Sequence, residues 1–150
     1  MVKRNLKVVF CTFMVGILLG ISTAAYAASL SSSWKYYGPV NGYKYKNQAV
    51  VSTHSGIGVS AHTQVSSDGS GNIPIGYMGA KAMLYKENGD LWVSTSWEYN
   101  DIILYGFAKS TSVQSASSGS YYYSKGKTKA YHGDGYNEYW TFSSPNIKYN

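Results

Sequence analysis

The chain has 150 residues, with 13 Lys and Arg against 7 Asp and Glu and a formal net charge of +6. That is enough for one domain with its own core. A single cysteine, Cys11, excludes a disulfide scaffold and a thiolate metal cluster.

The opening "MVKRNLKVVFCTFMVGILLGISTAAYAAS" sets Lys3, Arg4 and Lys7 ahead of an apolar run over 8–21, with the small-residue pattern Ala25-Tyr26-Ala27 behind it. This is the layout of a secretory signal peptide, expected over 1–27 with cleavage after Ala27. The run is shorter than the ~20 residues that cross a bilayer, and Cys11 lies too early for a lipid-modified cleavage site. A secreted, extracellular domain is therefore expected over 28–150, without stable membrane insertion and without a thiol. In it 10 Lys face 7 acids, a net charge of +3, and no Arg remains. Specific nucleic-acid readers lean on arginine for bidentate contacts, so no nucleic-acid partner is expected. A mild attraction to anionic cell-surface polymers is retained.

The mature composition, rich in Tyr, Trp, Ser and Gly and poor in Glu and Leu, favours strands over helices. Along the chain, "YKYKNQAVVSTHS" (43–55) predicts a strand that turns through Gly56 into a second over 57–66. That second strand alternates Ile57, Val59, Ala61, Thr63 and Val65 on a buried face against Gly58, Ser60, His62, Gln64 and Ser66 on a wet one. The polar loop over 67–74 follows; its Asp68, Ser70 and Asn72 resemble the start of a calcium loop, but Gly79 stands where a bidentate glutamate belongs, so a plain turn is expected.

"AMLYKENGDLWVS" (82–94) predicts a hairpin about Asn88-Gly89 as a two-residue type I′ turn. Its register pairs Leu84 with Val93, Ala82 with Thr95, Ala80 with Trp97 and Met78 with Tyr99 on an apolar face, so Trp97 is expected in the core. The other face pairs Tyr85 with Trp92 and Met83 with Ser94, and brings Lys81 diagonally to Glu98. A short helix over 79–88, stopped by Asn88-Gly89, is the competing possibility. "IILYGFA" (102–108) predicts a fully buried strand, and the Ser-rich 109–120 a long surface loop. A last pair of strands, "YYYSKGKTKAYH" and "YNEYWTFS", meets near Gly133-Asp134-Gly135. About seven or eight strands at this spacing predict a single all-β antiparallel sandwich.

Several chemistries find no support. His54 and His62 are expected too far apart to chelate, and His132 beside Asp134 is expected as a solvated loop residue. No Gly-x-Ser-x-Gly elbow or phosphate loop is present. Glu98, Asp101, Asp134 and Glu138 offer a carboxylate pair for glycoside cleavage only if two come within ~5 to 9.5 Å; strand-end solvation and ion pairs with Lys81 and Lys129 are the simpler expectation. No catalytic residue, metal or cofactor is assigned.

The aromatic surplus is the positive signal. Tyr121-Tyr122-Tyr123, Tyr36-Tyr37 and Tyr139-Trp140 must send rings to both faces of their strands, leaving several exposed. Such rings suit flat, wet ligands such as sugars, or else they clasp one another across strands. The ligand-binding candidates are Tyr85, Trp92, Tyr121, Tyr123, Tyr131 and Trp140. A non-catalytic protein that binds extracellular polysaccharide or a cell-envelope component is expected; a bacteriocin-like antagonist or enzyme inhibitor is the alternative, and a small glycan-active enzyme the third.

In the last third "YYSKG", an aromatic-glycine turn and the closing "SSPNI", together with "IGYMGAKAMLY", resemble the wording of small secreted proteins of Gram-positive bacteria. The resemblance runs from about residue 75 onward. It implies a compact exported bacterial domain and carries over no catalytic or binding residue.

Overall fold

A computed structural model of the chain describes residues 27–69 and 71–150. The expected signal peptide, apart from Ala27, lies outside the described residues, as does Ser70 of the polar loop. The described residues form no helix that is long and apolar enough to cross a membrane.

The architecture is all-β and sandwich-like, and 79–88 is strand rather than helix. Among the described residues thirteen strands follow in order: β1 (Ser29–Ser31), β2 (Lys35–Val40), β3 (Tyr43–His54), β4 (Gly58–Ser67), β5 (Met78–Lys81), β6 (Met83–Lys86), β7 (Leu91–Ser94), β8 (Glu98–Tyr99), β9 (Gly106–Ser110), β10 (Tyr121–Ser124), β11 (Lys127–Tyr131), β12 (Tyr136–Trp140) and β13 (Ile147–Lys148). One layer is a five-stranded sheet in the order β1-β3-β4-β9, with β2 also on β3. The other layer is two four-stranded sheets, β12-β11-β5-β8 and β13-β10-β6-β7.

The long β3–β4 hairpin, in register from Tyr45↔Ser67 to His54↔Gly58, underlies both of them. Toward one end Tyr45 and Val65 pack with Met78, Ala80 and Ala130. Toward the other, Val51, Val59 and Ala61 pack with Leu84, Tyr122 and Ile147. Between the two apolar clusters lie the buried Asn47, Thr63 and Thr128, with Asn47 Nδ2 donating to Thr128 Oγ1 at 2.7 Å.

The strand count exceeds seven or eight in part because two ribbons change sheets midway; the division of 91–99 into β7 and β8 and the short end strands β1 and β13 supply the rest. Residues 78–86 pass from β5 to β6 at Ala82, and 121–131 pass from β10 to β11 at Lys125-Gly126. The inward parity survives both bends: Met78, Ala80, Ala82 and Leu84 are buried in one ribbon, and Tyr122, Ser124, Gly126, Thr128 and Ala130 in the other. Small inward residues let the ribbon close on the β3–β4 hairpin. At Gly126 a Cβ would stand 1.8 Å from Thr63 Oγ1 and 2.7 Å from the Lys81 carbonyl oxygen, so only glycine fits.

At each bend a threonine hydroxyl replaces the missing ladder partner. Ala82 N–H donates to Thr95 Oγ1 while Thr95 N–H donates back to the Ala82 carbonyl. Gly126 and Thr141 make the same two-point clamp. So do Ser124 with Ser144, Ala61 with Thr111 and Ala49 with Ser32. Buried amides need a partner wherever strands part, and this is one structural use of the chain's many hydroxyl side chains.

Three sequence expectations are corrected. Ile57 sits exposed in the β3–β4 turn, and on the face expected to be wet Gly58, Ser60 and Ser66 are buried, while Val59, Ala61, Thr63 and Val65 are buried as expected. The run 102–108 is not a buried strand: Ile102 and Ile103 are 61% and 63% exposed, Leu104 only bridges to Ile73, and β9 begins at Gly106 on the edge of the first sheet. Asn100, itself buried, accepts from Met78 N–H and donates to the Pro74 and Ile102 carbonyls, which carries the chain out of the core before the isoleucines.

The third correction concerns the hairpin. Lys86 N–H donates to the Asp90 carbonyl and Gly89 N–H to the Lys86 carbonyl, so the loop is Glu87-Asn88-Gly89, three residues rather than two. Gly89 has φ +93°, while Asn88 lacks the positive φ that a type I′ turn requires. The extra loop residue shifts the register, so Tyr85 faces Leu91, and a bulge at Trp92 then restores the expected Leu84↔Val93 and Met83↔Ser94 pairs. Beyond Thr95 another slip places Tyr99 opposite Gly79 and Glu98 opposite Ala80.

Candidate functional site

The bulge decides where Trp92 points. Instead of sharing the outer face with Tyr85, it stacks on the buried Tyr122 at 5.1 Å between ring centroids and packs against the cluster around Leu84. Tyr85 keeps the outer face and stacks on Tyr123, its cross-strand neighbour, at 5.0 Å. Burial, then the neighbouring Tyr123 hydroxyl, pushes the Tyr85 phenol above its ordinary pKa. The expected Tyr85–Trp92 pair is therefore not formed, and the two rings serve opposite faces.

Beside Trp92 opens a groove of about 580 Å³. The β6–β7 loop supplies Lys86, Glu87 and Asn88, and β10 supplies Tyr121 and Tyr122. Its remaining wall is Ser115, Ser117, Gly119 and Ser120 from the Ser-rich loop. That loop is fixed. Val59 and Gln114 exchange both backbone hydrogen bonds, Gly119 N–H donates to the Tyr149 carbonyl, Tyr149 N–H to the Ser120 carbonyl, and Ser117 N–H to the Tyr122 hydroxyl. Gly58 is required for this attachment, since a Cβ there would fall 1.8 Å from the Gln114 carbonyl oxygen. The Asn88 side chain is held by Asp90 at 2.7 Å, and the Lys86 ammonium lies 5.6 Å from the Trp92 ring centre. An indole edge, hydroxyls, an amide and a carboxylate thus line one groove of ligand-binding size. The sequence marks Trp92 and Tyr121 among its members but not the serines, which become a wall only when 111–120 folds back on β4.

The remaining candidates lie elsewhere. Tyr131 belongs to a ring cluster with Tyr77 at 4.9 Å and Tyr136 at 5.5 Å, at the far end of the second layer. Trp140 is 39% exposed on β12, with the Lys125 and Lys127 ammonium groups 5.1 and 4.6 Å from its ring centre. Trp97, expected in the core, is half-buried on that same outer face beneath the Lys129 ammonium at 4.3 Å, because the register slip at Thr95 turns it outward.

The titratable groups are dispersed. Glu98 pairs with Lys109 rather than Lys81, Glu138 meets Lys127 at 3.1 Å and Lys129 at 3.6 Å, and His132 meets Asp134 at 2.8 Å. The hydrogen bond from Lys127 holds the Glu138 carboxyl below its usual pKa. His54 and His62, expected apart, both reach Ser60 Oγ, at 2.9 and 3.4 Å, and His62 Nδ1 contacts Ser110 Oγ at 2.6 Å. Their side chains lean toward each other along the sheet, a convergence that backbone spacing alone does not reveal. No group of three or more His, Cys, Asp or Glu with metal-binding geometry occurs among the described residues. No family model, curated protein or solved structure matches the chain.

Proposed function

We propose that this chain is a secreted, non-catalytic binding protein that engages extracellular polysaccharide or a glycan of the cell envelope. The groove beside Trp92 carries the reading: an indole next to Tyr121, three serine hydroxyls, the Asn88 amide and the Glu87 carboxylate. Sugars present apolar C–H faces and rings of hydroxyls, which call for aromatic surface and for paired donors and acceptors. Among the described residues Glu87 is the one carboxylate lining the groove, whereas paired-acid glycoside cleavage needs two, so retention rather than hydrolysis is the activity proposed.

The test is retention on insoluble peptidoglycan and on a panel of immobilised polysaccharides. Wild-type protein is expected to be retained on at least one, with Trp92→Ala and Tyr121→Ala released and Tyr36→Ala, on the first sheet, unaffected. Passage of the wild-type protein through every matrix, or retention indifferent to Trp92 and Tyr121, would overturn the proposal.

A second reading, a secreted antagonist that grips another protein, is favoured by a different observation. Ile75, Ile102 and Ile103 are all more than half exposed on adjacent loops tied together by Asn100. Exposed apolar side chains held at one place suit a protein contact. Inhibition of competitor growth that vanishes in Ile102→Ser/Ile103→Ser, with polysaccharide retention absent, would favour this reading over the first.

A further inference from the structure

The outer face of the β12-β11-β5-β8 sheet holds an arrangement that costs stability. Lys81 on β5 stands directly opposite Lys127 on β11, and both point outward because Ala80, Ala82 and Thr128 beside them are buried. Like charges set opposite one another across strands repel. Lys125 joins them, since its ammonium and that of Lys127 share the ring of Trp140. Lys127 is partly compensated by Glu138; among the described residues Lys81 and Lys125 have no carboxylate within ion-pair distance. Lys129, next along β11, is the structural member of the row: it hydrogen-bonds the Tyr99 hydroxyl at 3.3 Å and lies over Trp97. Gly79 makes room for it, with the Tyr99 ring and Lys129 Cβ close to where its own Cβ would stand.

We propose that Lys81, Lys125 and Lys127 form a binding surface for a linear polymer of phosphodiesters linked through a polyol, such as polyglycerol phosphate. Three features fit this partner. The cations are lysines, point charges that suit a singly charged phosphodiester. Lys81 stands across from Lys127 on the neighbouring strand and Lys125 lies two residues before Lys127 on the same ribbon, so successive charges of an extended chain can meet successive lysines. The Trp140 ring beneath Lys125 and Lys127 carries their ammonium groups at 5.1 and 4.6 Å, so that part of the surface offers fixed charges rather than the open stacking platform that single-stranded nucleic acid requires. A bound phosphodiester chain relieves the Lys81–Lys127 repulsion. This inference stands on a different face from the groove and does not depend on it.

The test is titration of the full chain with synthetic polyglycerol phosphate, followed by tryptophan fluorescence over a range of salt concentrations. Wild-type affinity should fall with salt with a log–log slope near −2, about −0.7 for each of three lysines. Lys81→Gln and Lys125→Gln should each weaken binding about five-fold. Lys81→Gln should leave Tm unchanged or raised, because it removes a repulsion; a lysine with a merely structural role would instead lower Tm. Tyr121→Ala, in the groove, should bind polyglycerol phosphate as wild type does, which separates failure here from failure of the polysaccharide proposal. Unchanged affinity in the Lys81→Gln/Lys125→Gln double variant would overturn the inference, as would tighter binding to oligo-dT of equal charge, which would make this a nucleic-acid surface.

Discussion

The two sheets of the second layer are built from the same two ribbons and yet present opposite kinds of surface. On the β5, β8, β11 and β12 side lysines lie across tryptophan and tyrosine rings as a continuous charged face. On the β6, β7, β10 and β13 side a three-residue loop, a bulge and the folded-back Ser-rich segment leave a groove. The inward alternation is uninterrupted through both ribbons, so the difference does not arise from hydrophobic pattern. It arises from where extra residues enter the ladder and from which segments return to cover it.

Core truncation is the strongest way to test whether the halves are one folding unit. Leu84→Ala on the groove side and Met78→Ala on the lysine side should each cost about 2–5 kcal/mol, both side chains being fully buried. Because β3 and β4 underlie both clusters, denaturant unfolding should remain a single transition by fluorescence and by circular dichroism. Two separated transitions in either variant would show that the halves are independent.

The bends come next. Gly126→Ala forces a methyl against Thr63 and a backbone carbonyl, an overpacking expected to cost about 1–3 kcal/mol. Gly79→Ala presses mainly on the Tyr99 ring and the Lys129 side chain and should cost less. Equal denaturant midpoints for the two variants would place the critical close approach elsewhere. The clamps offer a finer comparison of the same two bends. Thr141→Val leaves the buried Gly126 amide without its acceptor and should destabilise by about 1–3 kcal/mol, while Thr95→Val at the more open Ala82 bend should cost less. Thermal melts of both variants decide the order.

At the loop, Gly89→Val places a β-branched residue at φ +93° and should weaken the groove side by at least ~1–2 kcal/mol, readable in urea midpoints. The smallest effect belongs to the first sheet. Burial, then the neighbouring His54, lowers the His62 pKa below 6.5, so the native state favours its neutral form. The unfolded chain then binds more protons, and stability should fall as pH drops from about 6.5 through the lower native value. His62→Gln should flatten that part of the pH–stability curve; an unchanged slope would move the titration to another group.

Much of this was legible in the residues. The alternation over 57–66 identified the buried Val59, Ala61, Thr63 and Val65, and Gly133-Asp134-Gly135 marked the β11–β12 turn, where Tyr131 faces Tyr136. Leu84↔Val93 was recoverable from Asn88-Gly89, although the turn type was not. Two errors of one residue, a longer loop and a bulge, cancel at that pair. They do not cancel at Trp92, which is why the aromatic pairing failed there while the apolar pairing held. Ile102 and Ile103 misled for a different reason: a short apolar run carries no sign of whether anything packs on it.

Local chemistry in the sequence determined that the chain forms strands, which face of each long strand goes inward, and where its main hairpins turn, because these follow from alternation at period two and from glycine at turns. Tertiary structure alone decided that the ribbons bend at Ala82 and Gly126, that Trp92 joins the groove while Trp97 lies under Lys129, and that the serines of 111–120 become a wall. Those outcomes depend on close contact between segments far apart in the chain, such as Gly126 against Thr63 and Gly58 against Gln114, which periodicity within a single segment does not encode.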